Sequence, residues 1–140
     1  MILVDTSAWI EHDRATGSPC DLRMQDLLAR DDPSIAVTEP VTAEVLAGAR
    51  TDARERQLPR LLDRCALLPF ETPTDFDGAV RIYRACRQRG TTFRSLHDCL
   101  IAAVALRHGA PVLAHDTDFA RMASVVPLAL DLATQGTKPA

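Results

Sequence analysis

Short apolar runs alternate with longer amphipathic stretches along the chain. Ile2-Leu3-Val4 is an apolar run that predicts a first strand, and Asp5-Thr6-Ser7 behind it can cap a short helix from about Ser7 to Glu11. After a loop at Thr16-Gly17-Ser18-Pro19, Leu22, Leu27 and Leu28 mark an amphipathic helix ending near Asp31-Asp32-Pro33. Ser34-Ile35-Ala36-Val37 reads as a second strand. Glu39-Pro40 then opens a helix carrying Val41, Glu44, Val45 and Leu46, with Gly48 near its end. Helix is expected to continue over residues 50 to 64, kinked or restarted at Pro59.

Leu67-Leu68 gives a weak third strand, and Pro73 to about Arg89 another helix stopped by Gly90. The most apolar helix runs from Ser95 to about His108, with Gly109 as its stop. Pro111 to Ala114 reads as a fourth strand and Phe119 to Met122 as a short helix. Val126 to Leu130 is a candidate last strand, and residues 135 to 140 form a loose tail. No hairpin signal joins two strands. The order therefore predicts an α/β fold: a three-layer α/β/α sandwich around a central parallel sheet of four to five strands, one domain over residues 1–134.

Composition agrees with that picture. The 140 residues are 46% hydrophobic and 25% charged, as in an ordinary globular domain. No basic leader precedes the apolar start, and no apolar stretch approaches the roughly 20 residues needed to span a bilayer. A soluble, cytoplasmic protein without membrane attachment is expected. Cys20, Cys65, Cys86 and Cys99 form no CxxC pair and read as reduced thiols packed as small apolar residues. The net charge of −3 does not mark a nucleic-acid binder. Lys138 is the sole lysine, and the other basic residues are arginines, suited to bidentate phosphate contact but equally a product of base composition. Arg50 and Arg54, Arg56, Arg60 and Arg64, and Arg81 and Arg84 fall at helical spacing, interleaved with acids as on a solvated face.

Four acids stand apart. Asp5 and Asp116 each follow a strand, where open parallel sheets bind ligands at a switch point. Glu44 lies early in the helix after the second strand, and Asp98 in the first turn of the helix before the fourth. Each has a plainer reading. Asp5 suits a helix cap, Glu44 a solvated helix position, Asp98 a capping box with Ser95, and Asp116 and Asp118 a turn. Asp98 resists its plain reading best. Between Leu96 and Leu106 only His97 and Asp98 are strongly polar, and an unpaired carboxylate on a buried helix costs several kcal/mol in rough terms. A hard divalent cation, Mg²⁺ or Mn²⁺, would relieve that cost and suits phosphodiester hydrolysis.

Four segments together resemble the PIN-domain ribonucleases, specifically the VapC-type toxins of bacterial toxin–antitoxin pairs. They are Ile2-Leu3-Val4-Asp5-Thr6-Ser7, Val41 to Gly48, Asp98 to Ala103, and Leu113 to Phe119. The resemblance covers almost the whole chain. It implies an Mg²⁺- or Mn²⁺-dependent endoribonuclease acting on transfer or ribosomal RNA, a homodimer, and inhibition by a small cognate antitoxin. It implies Asp5, Glu44 and Asp98 as acid positions, with Asp116 favoured as the fourth and Asp118 as a supporting ligand or helix cap. Asp5, Asp98, Asp116 and Asp118 are the expected metal ligands, and Thr6 or Ser7 is expected to hold Asp5 or a metal-bound water.

Other classes fit less well. Phosphatases with Asp-x-Asp after the first strand, and phosphoacceptor receivers, need a core lysine; Lys138 in the tail cannot serve. No phosphate-binding glycine motif is present. His97-Asp98 and His115-Asp116 raise the all-helical HD phosphohydrolases, but the strand signals oppose them, and both histidines read as supporting or structural. The non-enzyme alternative is a catalytically silent module that binds RNA or protein.

Overall fold

The computed structural model describes residues 1–93 and 95–136. Four short strands, β1 (Ile2–Val4), β2 (Ile35–Val37), β3 (Ala66–Leu67) and β4 (Val112–Leu113), form one parallel sheet in the order β3-β2-β1-β4. Among the described residues, seven helices accompany them: α1 (Thr6–Asp13), α2 (Pro19–Ala29), α3 (Glu39–Ala47), α4 (Asp52–Asp63), α5 (Thr74–Gln88), α6 (His97–His108) and α7 (Thr117–Ala123). Successive strand residues point to opposite faces. Leu3 and Val4, Ala36 and Val37, and Val112 and Leu113 are nevertheless all buried, so both faces of the sheet are covered. This is the expected α/β sandwich.

The chain leaves β1 for β2 and β3 on one side and returns to β4 on the other. Leu3 pairs with Ala36 across one edge and with Val112 across the other. The switch point therefore lies beyond the carboxyl ends of β1 and β4. Asp5 sits just past β1, and His115-Asp116 just past β4.

α6 supplies the apolar wall behind this edge. Cys99 and the run Ile101 to Ala105 are buried. Gly109, at φ 63°, takes the left-handed turn that ends the helix, a conformation costly for other residues. α5 packs closely on α6, and a Cβ added at Gly78 would stand 3.2 Å from the Ala103 Cβ.

Three expectations need correction. The fifth strand is reduced to a single parallel bridge between Val112 and Leu130. The amides of Val125 and Val126 both donate to Met122 O at 2.9 Å, closing the turn after α7, and Pro127 has no amide to give. The segment behind it still lines β4. Val112 N donates to Ala129 O, Asp131 N to Val112 O, and Gln135 N to Ala114 O. Thr134 Oγ1 donates to Val112 O at 2.7 Å and accepts from Ala114 N. The chain is thus tied down through Gln135, whereas residues 137–140 of the expected loose tail lie outside the described residues. Secondly, the helix over 50–64 restarts at Thr51, which caps α4 by accepting from Arg54 N, and α4 runs on through Pro59. Arg50 therefore shares no helix with Arg54. Thirdly, Leu22 is exposed; the buried face of α2 is Cys20, Asp21, Met24 and Leu27.

Candidate active site

Asp5 begins the site. Its backbone caps α1, and its Oδ2 accepts from Ser7 N at 3.0 Å and Ser7 Oγ at 2.6 Å. The same Ser7 Oγ accepts from His115 N at 2.9 Å. One hydroxyl thereby links the ends of β1 and β4. The other oxygen of Asp5, Oδ1, is buried and has no hydrogen-bond partner among the described residues. Burial pushes the Asp5 carboxyl up to about 6; Ser7's bonds oppose the rise, while the charges of Glu44 and Asp116 add to it.

Asp98, Asp116 and Asp118 each place a carboxylate oxygen within 4.8 Å of the others. Asp98 stands in the first turn of α6. Burial, followed by the charges of Asp5, Asp116 and Asp118, pushes its carboxyl up to about 8. It forms no capping box. Ser95 Oγ accepts from His97 N instead. Asp116 is the cap of α7, its Oδ1 accepting from Asp118 N at 2.9 Å. The capping role considered for Asp118 thus belongs to Asp116. Asp118 Oδ1 accepts from Arg121 at 2.9 Å, and Arg121 lies over the Phe93 ring, 5.4 Å from its centroid.

Glu44 reaches the same edge from α3. Its Oε1 accepts from Thr6 Oγ1 at 2.7 Å and stands 2.7 Å from His97 Nε2, which also lies 3.1 Å from Pro40 O. Ser7 therefore holds Asp5, while Thr6 holds Glu44. His115 Nε2 lies 3.3 Å from Glu11 Oε1.

These residues suit a hard divalent cation. The donors are carboxylate oxygens, one of them a buried oxygen without a partner among the described residues, and burial and neighbouring negative charge make ionisation of Asp5 and Asp98 costly. A cation among them would replace like-charge repulsion with attraction. Sequence reasoning located the acids but missed how His97 meets Glu44 across two helices. The adjacency of His97 to Asp98 was the one available signal.

Beside the site, Trp9, Ile10, Val45, Leu58 and Leu61 line a groove of about 240 Å³ between α1, α3 and α4, with Glu44 at its border. Trp9 is buried, and its Nε1 has no partner among the described residues. Two buried acids elsewhere are already satisfied. Asp21 takes Gly17 N and His12 Nδ1, and Asp75 takes a two-pronged bond from Arg107. Both are structural.

A PIN domain model matches residues 2–125. Ribonuclease VapC11 of Mycobacterium tuberculosis is 44% identical over 128 residues, covering 91% of this chain and 96% of the relative; a VapC ribonuclease of Mycobacterium bovis gives the same figures. Among solved structures, VapBC2 of Rickettsia felis bound to a promoter DNA fragment aligns with a TM-score of 0.70 at 20% identity, over 94% of this chain and 98% of that one. VapC20 of M. tuberculosis, a sarcin-ricin loop cleaving toxin, aligns with a TM-score of 0.60 at 20% identity, over 92% and 99%. The fold, the order of the four motifs and these likenesses place the chain in the PIN-domain family, among its VapC ribonucleases.

Proposed function

We propose that the chain is an endoribonuclease and the toxin of a type II toxin–antitoxin pair, and that Asp5, Glu44, Asp98 and Asp116 form its active site, with Asp118 as a fourth ligand beside Asp5, Asp98 and Asp116. The observation that carries the site is the buried, unpartnered Asp5 Oδ1 next to three converging carboxylates. Mg²⁺ or Mn²⁺ is the cation this donor set suits. When bound, it supplies a lowered pKa for water and a counter-charge for the phosphate.

The chain's own groups do the rest. Ser7 fixes Asp5 through Oδ2, so Oδ1 stays free to coordinate. Glu44, held through Oε1, keeps Oε2 to orient the attacking water and take its proton. Water adds in line at phosphorus as the bond to the 3′ oxygen breaks, and the leaving oxygen takes a proton from solvent, giving a 5′-phosphate and a 3′-hydroxyl. Structured RNA is the proposed substrate, transfer or ribosomal; the sarcin-ricin loop activity of VapC20 supports the ribosomal choice. The chain acts in the cytoplasm as a homodimer, and among the described residues no helix is long and apolar enough to cross a membrane. A cognate antitoxin is its regulator, supported by the VapBC likenesses, and the apolar groove beside Glu44 is its docking place.

The test is cleavage of total RNA by purified protein with Mg²⁺, Mn²⁺ or EDTA. Asp5→Asn and Asp98→Asn are expected to abolish cleavage with the fold intact. Wild-type rates from either variant would overturn the assignment.

A further inference from the structure

We propose that His97 is a positioning residue for Glu44: together with Thr6 it pins Oε1 of that carboxylate and so leaves Oε2 as the single oxygen that handles the attacking water. This rests on the ribonuclease reading above and assigns a role to a residue outside the acid set.

The geometry supports it in three ways. His97 Nε2 stands 2.7 Å from Glu44 Oε1 and 3.1 Å from Pro40 O. A carbonyl and a carboxylate only accept, and a bare nitrogen lone pair at 2.7 Å from an oxygen lone pair would be repelled. Nε2 therefore carries its hydrogen, which it donates to Pro40 O, while Glu44 Oε1 stands in close polar contact with the same nitrogen. Thr6 Oγ1 donates to the same Oε1 at 2.7 Å from α1. A hydroxyl donor and an imidazole edge from two other helices thus close on one oxygen of a side chain that is itself 40% exposed. An exposed glutamate on a helix otherwise samples many rotamers, and losing them at the moment of reaction costs rate.

The third element is chain connectivity. His97 is the first residue of α6 and Asp98 the second. One helical turn therefore carries both a candidate metal ligand and the prop for the glutamate on α3. Pro40, the other oxygen facing Nε2, lies on α3 four residues before Glu44. The imidazole grips both the backbone and the side chain of the turn that carries Glu44. Any shift of α6 against α3 would move Asp98 and Glu44 together.

The experiment combines kinetics with a spectroscopic readout. His97→Leu is expected to lower kcat roughly tenfold to hundredfold, with KM changed less than about twofold, as for other groups that orient a catalytic neighbour. His97→Gln, which keeps an N–H at the reach of Nε2, recovers most of that loss. In a Glu44→Gln background, His97→Leu adds no further loss, because its effect passes through the carboxylate. Equal losses in both backgrounds, or no rescue by glutamine, overturn the proposal. Nuclear magnetic resonance of ¹⁵N-histidine-labelled protein gives a result independent of RNA cleavage. Nε2 of His97 should carry hydrogen, and its signal should move on Glu44→Gln. A bare Nε2, or a signal indifferent to that substitution, refutes the inference even in a protein that cleaves RNA. A correct signal in a protein that cleaves no RNA faults the ribonuclease reading instead.

Discussion

Replacing Asp98 with asparagine should make the metal-free protein more stable while removing its activity. The Asp98 carboxyl titrates at about 8 in the fold, through burial and the charges of Asp5, Asp116 and Asp118, against an ordinary 3.8. A carboxyl whose folded value is raised favours the folded state below its unfolded value and loses that advantage as pH climbs through the folded one. The window is therefore pH 4 to about 8. Asp21, Asp32 and Asp75, held below the ordinary range, act in the opposite sense, but their effect is complete by about pH 5.

Between pH 5 and pH 8, at about 1.4 kcal/mol per pH unit, the metal-free wild type should lose up to about 4 kcal/mol relative to Asp98→Asn. For a domain of this size that is on the order of 10 °C in Tm. Asp5, titrating at about 6, adds to the fall in both proteins. The assay is thermal unfolding followed by circular dichroism in EDTA from pH 5 to 9, wild type against Asp98→Asn. The gap between the two curves should be smallest at pH 5 and widen as pH rises, with the variant the more stable. Millimolar Mg²⁺ should restore the wild type above pH 7 and do little for the variant. Parallel curves, or a variant less stable than wild type at pH 8 in EDTA, would refute the reasoning.

Two further outcomes test the rest of the molecule. Arg107 bonds both oxygens of Asp75, at 2.9 and 2.8 Å, and Pro69 O at 2.7 Å, tying α6 to the start of α5. Arg107→Met leaves a buried carboxylate unpaired and should cost about 2–3 kcal/mol in urea unfolding; Asp75→Asn in the same background should recover part of it, and a cost under about 0.5 kcal/mol would sink this account. Ile10, 40% exposed in the groove beside Glu44, should tolerate Ile10→Asp in the free protein with RNA cleavage unchanged. Calorimetry should then show at least about tenfold weaker antitoxin binding, or about 1.4 kcal/mol, and unaltered affinity would remove the groove as the docking place.

Two of the proposed site acids stand out in the sequence by their setting. Asp98 is a charge in an apolar helix, and Asp5 follows an apolar strand. The parallel sheet was legible because its strands are short apolar runs between helices. The rest depended on partners distant in sequence. Leu22 looked like a core position by period, yet α2 buries Cys20, Asp21 and Met24, and Asp21 goes inward to meet Gly17 N and His12. No periodicity marks an acid as satisfied by a loop amide. Val126 to Leu130 has strand composition, but the turn after α7 takes the amide of Val126, and Pro127 has none to give. Thr6 and Ser7 could not be assigned to separate acids, since Thr6 meets Glu44 across 38 residues.

In the proposed site, Asp116 and Asp118 can serve together rather than as alternatives, because each has a second oxygen. Asp116 commits Oδ1 to the first turn of α7, and Asp118 commits Oδ1 to Arg121. Each keeps one oxygen for the cluster with Asp98. The commitments differ in kind. A cap bond to a backbone amide is part of the helix and persists when charge arrives. An exposed ion pair one turn along a helix is worth only a few tenths of a kcal/mol and is easily exchanged. In the proposed site Asp116 would thus be the fixed acid, and Asp118 the one whose partner is more readily exchanged. The two positions are not rivals for one role. The proposed site therefore has one rigid carboxylate and one loosely held one.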